Sequence, residues 1–190
     1  MPLSNGNRKL GKHVYNYNLP RHTCRHKTAS CEKFCYARKG AFVYPQVVAF
    51  MKRNYNETLE DDFIDRMVGQ IVFLRIKWIR IHACGDFYSQ GYADKWMEIA
   101  RRSPNSHFLA YTRDYEIDFS TRPDNFVMYF SKDGSTTELN ESIHMFASTF
   151  PMEKGITHMS DSKHGHVCDS KCKTCKACWS GKVQIAFPLR

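Results

Sequence analysis

The chain has 190 residues, of which 42% are hydrophobic and 25% charged, and its 28 Lys and Arg outweigh its 19 Asp and Glu to give a net charge of +9. These proportions exclude a disordered or fibrous chain and predict one packed domain with at most a small appendage. No apolar run approaches the ~20 residues of a membrane helix, and residues 1–10 contain no stretch typical of a signal peptide. We therefore expect a cytoplasmic protein with no membrane partner, and the positive charge makes nucleic acid a candidate partner.

Strands and helices are predicted to alternate along the chain. Apolar–polar alternation and β-branched runs predict six strands, at residues 14–19, 78–83, 108–112, 126–131, 144–149 and 183–187. Apolar residues at helical spacing predict four helices, at residues 32–39, 45–56, 60–75 and 91–102. Strands separated by helices pair in parallel, so the predicted fold class is α/β, with a parallel sheet that resembles part of a (β/α) barrel. The chain is too short for a complete eightfold barrel of typical size.

The last part of the chain differs in character from the rest. We predict an α/β partial-barrel unit over residues 1–153. Residues 154–182 are rich in loop-forming residues, so a bound metal is needed to organise them. The predicted C-terminal part, residues 154–190, is therefore a cysteine-rich iron–sulphur segment that ends in the last strand. We expect it to form one compact unit with the first part.

Seven of the eight cysteines fall into two groups at opposite ends of the chain. The N-terminal group is Cys24, Cys31 and Cys35, and the C-terminal group is Cys168, Cys172, Cys175 and Cys178. In a reducing compartment, clustered cysteines are expected to bind metal or to act in catalysis rather than to form disulfides. The two groups predict two metal sites, or one site that both ends of the chain close.

The C-terminal group has the spacing C-x3-C-x2-C-x2-C, with no loop between pairs of cysteines. Structural zinc sites usually have two close pairs separated by a longer loop, whereas an uninterrupted run of cysteines is typical of iron–sulphur ligation. The spacing therefore favours a [4Fe-4S] cluster. Zinc is the alternative, for which His158, His164 and His166 are further possible ligands, although solvated loop histidines are the simpler interpretation.

The N-terminal group has the spacing C-x6-C-x3-C and no obvious fourth cysteine. Three thiolates on a four-iron cluster leave one iron without a protein ligand, and an open coordination position is the mark of a catalytic metal. Phe34 directly precedes the last cysteine and is predicted to place an aromatic ring beside the cluster. The competing interpretation of Phe34 is an ordinary core residue.

Residues whose side chains could bind ligands or take part in catalysis follow each predicted strand directly. They are the N-terminal group after the first strand, Cys84–Asp86 after the second, Arg113–Asp114 after the third and Ser131–Asp133 after the fourth. Because ligands collect at the carboxyl ends of parallel strands, we expect the N-terminal group and Gly85–Asp86 to face the same cavity. Asp86 is then placed to hold an amine or a hydroxyl, or else it caps the next turn. Cys84 is expected to be a small buried residue rather than an extra ligand.

Three motifs resemble a family of phage-encoded and phage-associated proteins called gene product 88. They are C-x3-C-Y-A-x2-G at residues 31–40, RIHACGDFYS at 80–89 and AYTR at 110–113. The resemblance covers nearly the whole chain, including the C-terminal cysteines. It implies a phage protein that acts in the cytoplasm of a bacterial host cell, and it implies no particular activity.

More distantly, the layout is similar to that of the radical S-adenosylmethionine (SAM) enzymes. Those enzymes have a partial or full (β/α) barrel and hold a four-iron cluster on three cysteines after the first strand, with SAM on the open iron. The resemblance implies that the N-terminal group is the ligand set, that Phe34 is the aromatic residue before its last member, and that Gly85 and Asp86 bind the SAM amine. It also implies a reductant protein as partner and an auxiliary role for the C-terminal group. The first cysteine spacing is six residues here and three in that superfamily.

Three functions follow from these patterns. The first is a radical-SAM-like enzyme that reductively cleaves SAM at a [4Fe-4S] cluster. The second is an iron–sulphur protein without that reaction, which acts in electron transfer or nucleic-acid binding. The third is a zinc-stabilised nucleic-acid-binding module.

Overall fold

The computed structural model describes residues 3–6, 10–151, 165–168, 172 and 174–189. The strands are β1 (Ser4–Asn5), β2 (Val14–Tyr17), β3 (Trp78–Ile81), β4 (His107–Thr112), β5 (Phe126–Lys132), β6 (Phe146–Pro151), β7 (His166–Val167) and β8 (Ile185–Leu189). The helices are α1 (Ala29–Phe34), α2 (Pro45–Glu57), α3 (Phe63–Phe73) and α4 (Gln90–Arg101). Short 3-10 turns lie at Arg21–Thr23, Tyr36–Arg38, Gly40–Val43 and Ala177–Ser180.

All of these strands belong to one sheet, in the spatial order β1-β2-β3-β4-β5-β6-β8-β7. The β1–β2 pair is antiparallel and every other pair is parallel. Within the described residues β1 and β7 form the two edges, so the sheet is open. The fold is therefore mixed α/β with a mostly parallel sheet. From β2 to β6 each connection moves one strand along the sheet, which places the carboxyl ends of these strands side by side in chain order.

The six predicted strands and four predicted helices are present, with shifted ends. The helix predicted over 32–39 is α1, which ends at Phe34 because Cys35 has an extended backbone (φ −61°, ψ 111°). The sequence pattern does not predict β1 and β7, since two residues cannot show an alternation. The predicted boundary between residues 153 and 154 lies outside the described residues. Because β8 pairs with β6, the two predicted parts share one sheet.

Helices α3 and α4 cover one face of the sheet and form the main core. In α3 the apolar residues Phe63, Met67 and Ile71 recur every four positions, and all three are buried. Helix α4 begins at Ser89, whose hydroxyl accepts a hydrogen bond from Tyr92 N and so satisfies a free donor of the first turn. Trp96 of α4 is fully buried, and its ring lies 5.2 Å from that of Tyr17 on β2, centroid to centroid. The core thus joins both helices to the strands that lead to the cysteines.

The opposite face, called the helix-free face below, bears a second and smaller core. None of the helices α1–α4 contributes a buried residue to this core, which includes Leu109, Tyr129 and Ile185. Trp179 packs there as well, although it comes from the 3-10 turn within the C-terminal cysteine group. The C-terminal segment therefore folds back onto the sheet.

The described helices of this fold are short. The longest described helix, α2, has 13 residues, and a membrane span needs about 20. Among the residues that the structure describes, no helix is both long enough and apolar enough to cross a bilayer.

The core assignment predicts that Trp96→Ala lowers the free energy of unfolding by about 3–5 kcal/mol, because the change removes a large buried ring and leaves a cavity. The matched control is Phe73→Ala, at the exposed end of α3, where the side chain is 77% exposed. That control is expected to change the free energy by about 0.5 kcal/mol or less. Urea denaturation followed by circular dichroism measures both, and equal losses would contradict the assignment.

Candidate functional site

Hydrogen bonds tie the carboxyl ends of β2 and β3 together. Leu19 N donates to Cys84 O at 2.9 Å. The side-chain oxygen of Asn18 accepts from Ala83 N at 2.7 Å and from Cys84 N at 3.2 Å. The loop that carries the N-terminal group and the turn Cys84–Asp86 therefore leave the sheet at the same place, as the strand order predicts.

Gly85 allows this turn to pack directly against the cysteine loop. Its backbone has φ +85°, and a Cβ built on it would lie 2.6 Å from Leu19 Cβ and 2.8 Å from Thr23 Oγ1. A side chain therefore fits neither the backbone conformation nor the space. Thr23 Oγ1 also accepts a hydrogen bond from Asp86 N at 3.1 Å. The turn is thus fixed against the residue that precedes Cys24.

The three cysteines of the N-terminal group gather beside this turn. Cys31 lies in the first turn of α1, where the capping residue Thr28 accepts a hydrogen bond at Oγ1 from its backbone N–H at 3.0 Å. Burial raises the pKa of the Cys24 thiol, and the charges of Asp86, Cys84 and the other two members of the group raise it further. All three thiols are partly exposed. The three thiols interact electrostatically with one another, although their sulphurs do not all lie within 4.8 Å of one another.

Two arginines lie beside thiols of the group. Arg21 interacts electrostatically with Cys35, and Arg113 with Cys31. Burial raises the pKa of Cys31, while the charge of Arg113 acts in the opposite direction. Cationic donors beside sulphur favour the thiolate form, which is the form that ligates metals.

Asp133, which follows β5, joins the same edge. Its Oδ2 accepts from Thr28 Oγ1 at 2.7 Å and forms an ion pair with Arg113 at 3.0 Å. Residues after β2, β4 and β5 therefore meet beside Cys31. The four strand ends singled out by the sequence form one continuous polar edge.

Asp86 is 7% exposed, and protein groups take up its hydrogen bonds. Oδ1 accepts from Phe87 N at 2.8 Å, and Oδ2 accepts from Arg113 N at 2.9 Å. Burial raises the pKa of Asp86 to about 6, although the bonds from Arg113 and Thr112 oppose this shift. These contacts match the turn-capping interpretation, and the amine-binding role implied by the resemblance stays a prediction.

Phe34 and Cys84 have opposite environments. Phe34 is 56% exposed, with Lys33 Nζ 5.3 Å from the centre of its ring, so it is not an ordinary core residue. Cys84 is 4% exposed and packs in a small cluster with Ala37 and Met51. It is a small buried residue, as expected, and it lies next to the N-terminal group.

A cavity of about 300 Å³ opens at the carboxyl ends of β4 and β5. Arg25, Tyr115 and Ser131 contribute to its walls. Arg113 lines the same cavity and also interacts electrostatically with Cys31, so a molecule in this cavity would lie beside the N-terminal group.

The C-terminal group lies elsewhere, on the helix-free face. All four of its cysteines line one cavity of about 30 Å³, which also includes Arg80 and Tyr111 in its walls. Tyr111 interacts electrostatically with Cys178. His166 Nε2 lies 3.4 Å from Cys175 Sγ, whereas His158 and His164 are outside the described residues. No member of the N-terminal group lines this cavity.

One further cluster is absent from the sequence predictions. His26, Asp114 and Glu116 place their ligand atoms within 4.8 Å of one another, and in the described part of the chain they form the one such group of His, Cys, Asp or Glu. Arg25 is hydrogen-bonded to Asp114 at 2.7 Å and ion-paired with Glu116 at 3.4 Å. A guanidinium thus already neutralises these carboxylates. These three residues come together only in the folded chain. The sequence pattern at the strand ends identifies one of them, Asp114.

The packing of Gly85 predicts that Gly85→Ala lowers the free energy of unfolding by at least about 2 kcal/mol, because the new Cβ combines a strained φ with steric overlap. Gly91→Ala is the matched control, since a Cβ there meets nothing within 4 Å. The control is expected to stay within about 1 kcal/mol of the wild type or to be slightly more stable. Chemical denaturation compares them, and an unaffected Gly85→Ala protein would contradict the packing argument.

The burial of His82, which follows β3, predicts that the stability of the protein depends on pH. It is 3% exposed, its Nε2 lies 2.9 Å from the Tyr92 hydroxyl, and burial lowers its pKa to about 3. Below pH ~6.5 the unfolded chain binds a proton that the folded chain does not. The free energy of unfolding therefore falls by up to about 1.4 kcal/mol per pH unit as the pH drops from 6.5 towards 3.

The variant His82→Asn tests this dependence, because Asn tolerates the backbone of His82 (φ +60°) and does not titrate. Its free energy of unfolding, measured by urea denaturation at several pH values, is expected to fall less steeply over that interval. Parallel profiles for the variant and the wild type would contradict the assignment of a neutral buried histidine.

Comparisons with known proteins agree with this arrangement of motifs. The family model described as Gene product 88 matches residues 1–181. The Gene 88 protein of Mycobacterium phage L5 is 34% identical over 194 aligned positions, which cover 87% of this chain and 81% of that protein. The Gene 88 protein of Mycobacterium phage D29 is 24% identical over 195 positions, with the same coverage. No solved structure matches the chain. The chain belongs to the gene product 88 family.

Proposed function

We propose that this protein is a radical-SAM-like iron–sulphur protein whose N-terminal group holds a [4Fe-4S] cluster with one open iron. The observation that carries the proposal is the position of Cys24, Cys31 and Cys35. They lie together at the carboxyl edge of a mostly parallel sheet, against a Gly85–Asp86 turn that forms part of the same edge. Within this proposal the sheet is part of a (β/α) barrel whose carboxyl edge is the reactive side.

The residues present fit such a cluster. The N-terminal group offers three partly exposed thiols, and the next cysteine, Cys84, is buried in an apolar cluster. The positive charges of Arg21 and Arg113 beside the thiols suit the negative charge of ligated sulphur. Three thiolates leave one iron free for SAM. The cavity of about 300 Å³ beside Cys31 gives room for SAM or a substrate next to that iron.

Cys24, Cys31 and Cys35 would hold the cluster, and the chemistry it would supply, once reduced by a partner protein, is the one-electron cleavage of a carbon–sulphur bond of SAM to methionine and a 5′-deoxyadenosyl radical. The protein contributes position and electrostatics. Gly85 brings the turn close to the cysteine loop, and Asp86 fixes that turn to the end of β4. Arg113 connects the cluster site to the neighbouring cavity.

A second candidate function is electron transfer or nucleic-acid binding by the same iron–sulphur protein without SAM cleavage. The contacts of Asp86 favour it, because both oxygens of that carboxylate already accept backbone hydrogen bonds. An Asp86 held in this way has less capacity to bind an amine. The two candidates share the cluster and differ in whether SAM binds to it.

Anaerobic purification, followed by electron paramagnetic resonance of the reduced protein with and without SAM, separates these candidates. We expect a brown protein with a [4Fe-4S] signal that changes on addition of SAM, and 5′-deoxyadenosine among the products after reduction. An unchanged signal and no 5′-deoxyadenosine would leave the second candidate function. A colourless protein that contains zinc would contradict both.

Loss of one ligand predicts a selective loss of iron. Cys31→Ala is expected to remove about half of the iron, together with the SAM-sensitive signal, if each cysteine group holds its own cluster. The matched control is Cys84→Ala, which changes a neighbouring thiol that is not a ligand, and it is expected to keep both. Iron and sulphide quantitation measures the change. Full iron content in Cys31→Ala would contradict the assignment, and loss of all iron would mean that the two groups share one centre.

A further inference from the structure

Arg80 is a cation without a carboxylate partner. It lies on β3 and lines the cavity of the C-terminal group, and its buried Nε makes no hydrogen bond. Its guanidinium carbon lies 5.2 Å from the centre of the Tyr111 ring. No carboxylate among the described residues forms an ion pair with it. Burying the Nε of a guanidinium in this way is unfavourable unless an anion stands beside it.

The groups that face Arg80 are thiols and phenols. Burial lowers the pKa of Arg80, but the charges of Tyr36, Tyr111, Cys178 and Cys172 outweigh this effect and raise it. Cys178 and Tyr111 line the same cavity as Arg80. Ionised sulphur is therefore the anion that the surroundings of Arg80 can offer, and metal ligation is what keeps cysteine ionised at neutral pH.

The spread of the C-terminal thiols favours a cluster over a single zinc ion. Four sulphurs around one zinc at about 2.3 Å lie about 3.8 Å from one another. In the part of the chain that the structure describes, no three cysteine sulphurs come within 4.8 Å of one another, although all four members of the group line the same cavity. A cubane holds its four thiolates farther apart than one ion does. The cavity of about 30 Å³ is smaller than a cubane, so the four sulphurs would stand farther apart around a bound cluster than they do here.

We propose that the C-terminal group holds a four-thiolate iron–sulphur cluster with Arg80 as its counter-cation, and that this centre is reduced before the N-terminal centre. The proposal rests on the proposed function for the presence of iron. It adds the identity of the second centre, the residue that sets its reduction potential and the order in which the two centres fill with electrons.

Electrostatics gives the order of reduction. The arginines of the N-terminal site are neutralised, since Arg21 pairs with Glu32 at 2.8 Å and Arg113 pairs with Asp133 at 3.0 Å. The carboxylate of Asp86 adds negative charge beside Cys24. No carboxylate in the described part of the chain pairs with Arg80, so its charge is not offset there and acts on the C-terminal centre. A nearby net positive charge stabilises the reduced, more negative state of a cluster.

The strand that carries Arg80 also connects the two sites. Arg80 lies on β3, and Cys84 lies just beyond its end, next to the N-terminal group. Tyr36 directly follows Cys35, donates its hydroxyl to Ala83 O, and interacts electrostatically with Arg80, Cys84 and Cys35. Strand β3 and Tyr36 therefore connect the two sites through the protein.

Potentiometric titration followed by electron paramagnetic resonance tests the proposal in the full chain, with dithionite as reductant. In the wild type we expect the centre that survives in Cys31→Ala to be reduced at the higher potential. Arg80→Gln is expected to keep the wild-type iron content and to shift the midpoint potential of that centre to more negative values. Arg80→Lys keeps the positive charge, so the midpoint potential of that centre is expected to stay close to the wild-type value. The N-terminal potential is expected to move less than the C-terminal one.

An unchanged C-terminal potential in Arg80→Gln, prior reduction of the N-terminal centre, or zinc in the C-terminal group would each overturn the proposal. A purely structural role for Arg80 would lower iron content or thermal stability in both Arg80 variants without a selective shift in potential. The proposed function has its own readout in Cys172→Ala, which lacks the C-terminal centre. If SAM leaves the signal of Cys172→Ala unchanged while the Arg80 shift is present, SAM cleavage is overturned and the counter-cation role stands.

Discussion

The close approach of the Gly85 turn to the cysteine loop is the contact on which the candidate site depends. Without a side chain at Gly85, the end of β3 packs on Leu19 and Thr23, and Thr23 directly precedes Cys24. Two of the three N-terminal thiols also lie beside arginines from neighbouring segments. The fold therefore brings together residues that are far apart in sequence, and their arrangement suits negatively charged sulphur.

The second cysteine group uses the same sheet in a different way. It packs on the helix-free face, where Trp179 contributes to a small core and Cys178 lines a cavity with Tyr111. An open sheet with α3 and α4 on one side leaves its other side available to the C-terminal residues. A C-terminal run with little local propensity for helix or strand can thus become part of the domain. The charge balance differs between the two sites, because the arginines at the strand ends have carboxylate partners, whereas no carboxylate among the described residues pairs with Arg80.

Much of the fold could be predicted from local patterns. Period-two alternation predicts the strands from β2 to β6 and β8, and the order of strands and helices predicts parallel pairing. The joint edge of the cysteine loop and Gly85–Asp86 follows from that topology. The contacts of Asp86 could not be predicted, since its partners are backbone groups of Phe87 and Arg113 whose position only the folded edge defines. Arg80 gives a faint signal as a charged residue in an apolar strand, but its lack of an acidic neighbour is visible only in three dimensions.

The central claim is that each cysteine group binds iron. Crystals grown without oxygen and measured at the iron absorption edge test it most directly, because an anomalous difference map shows iron positions without any assumption about function. The account predicts one iron peak enclosed by the N-terminal thiols beside Gly85 and a second enclosed by the C-terminal thiols beside Arg80. A map without iron at either group, in a protein purified and crystallised anaerobically, would contradict it.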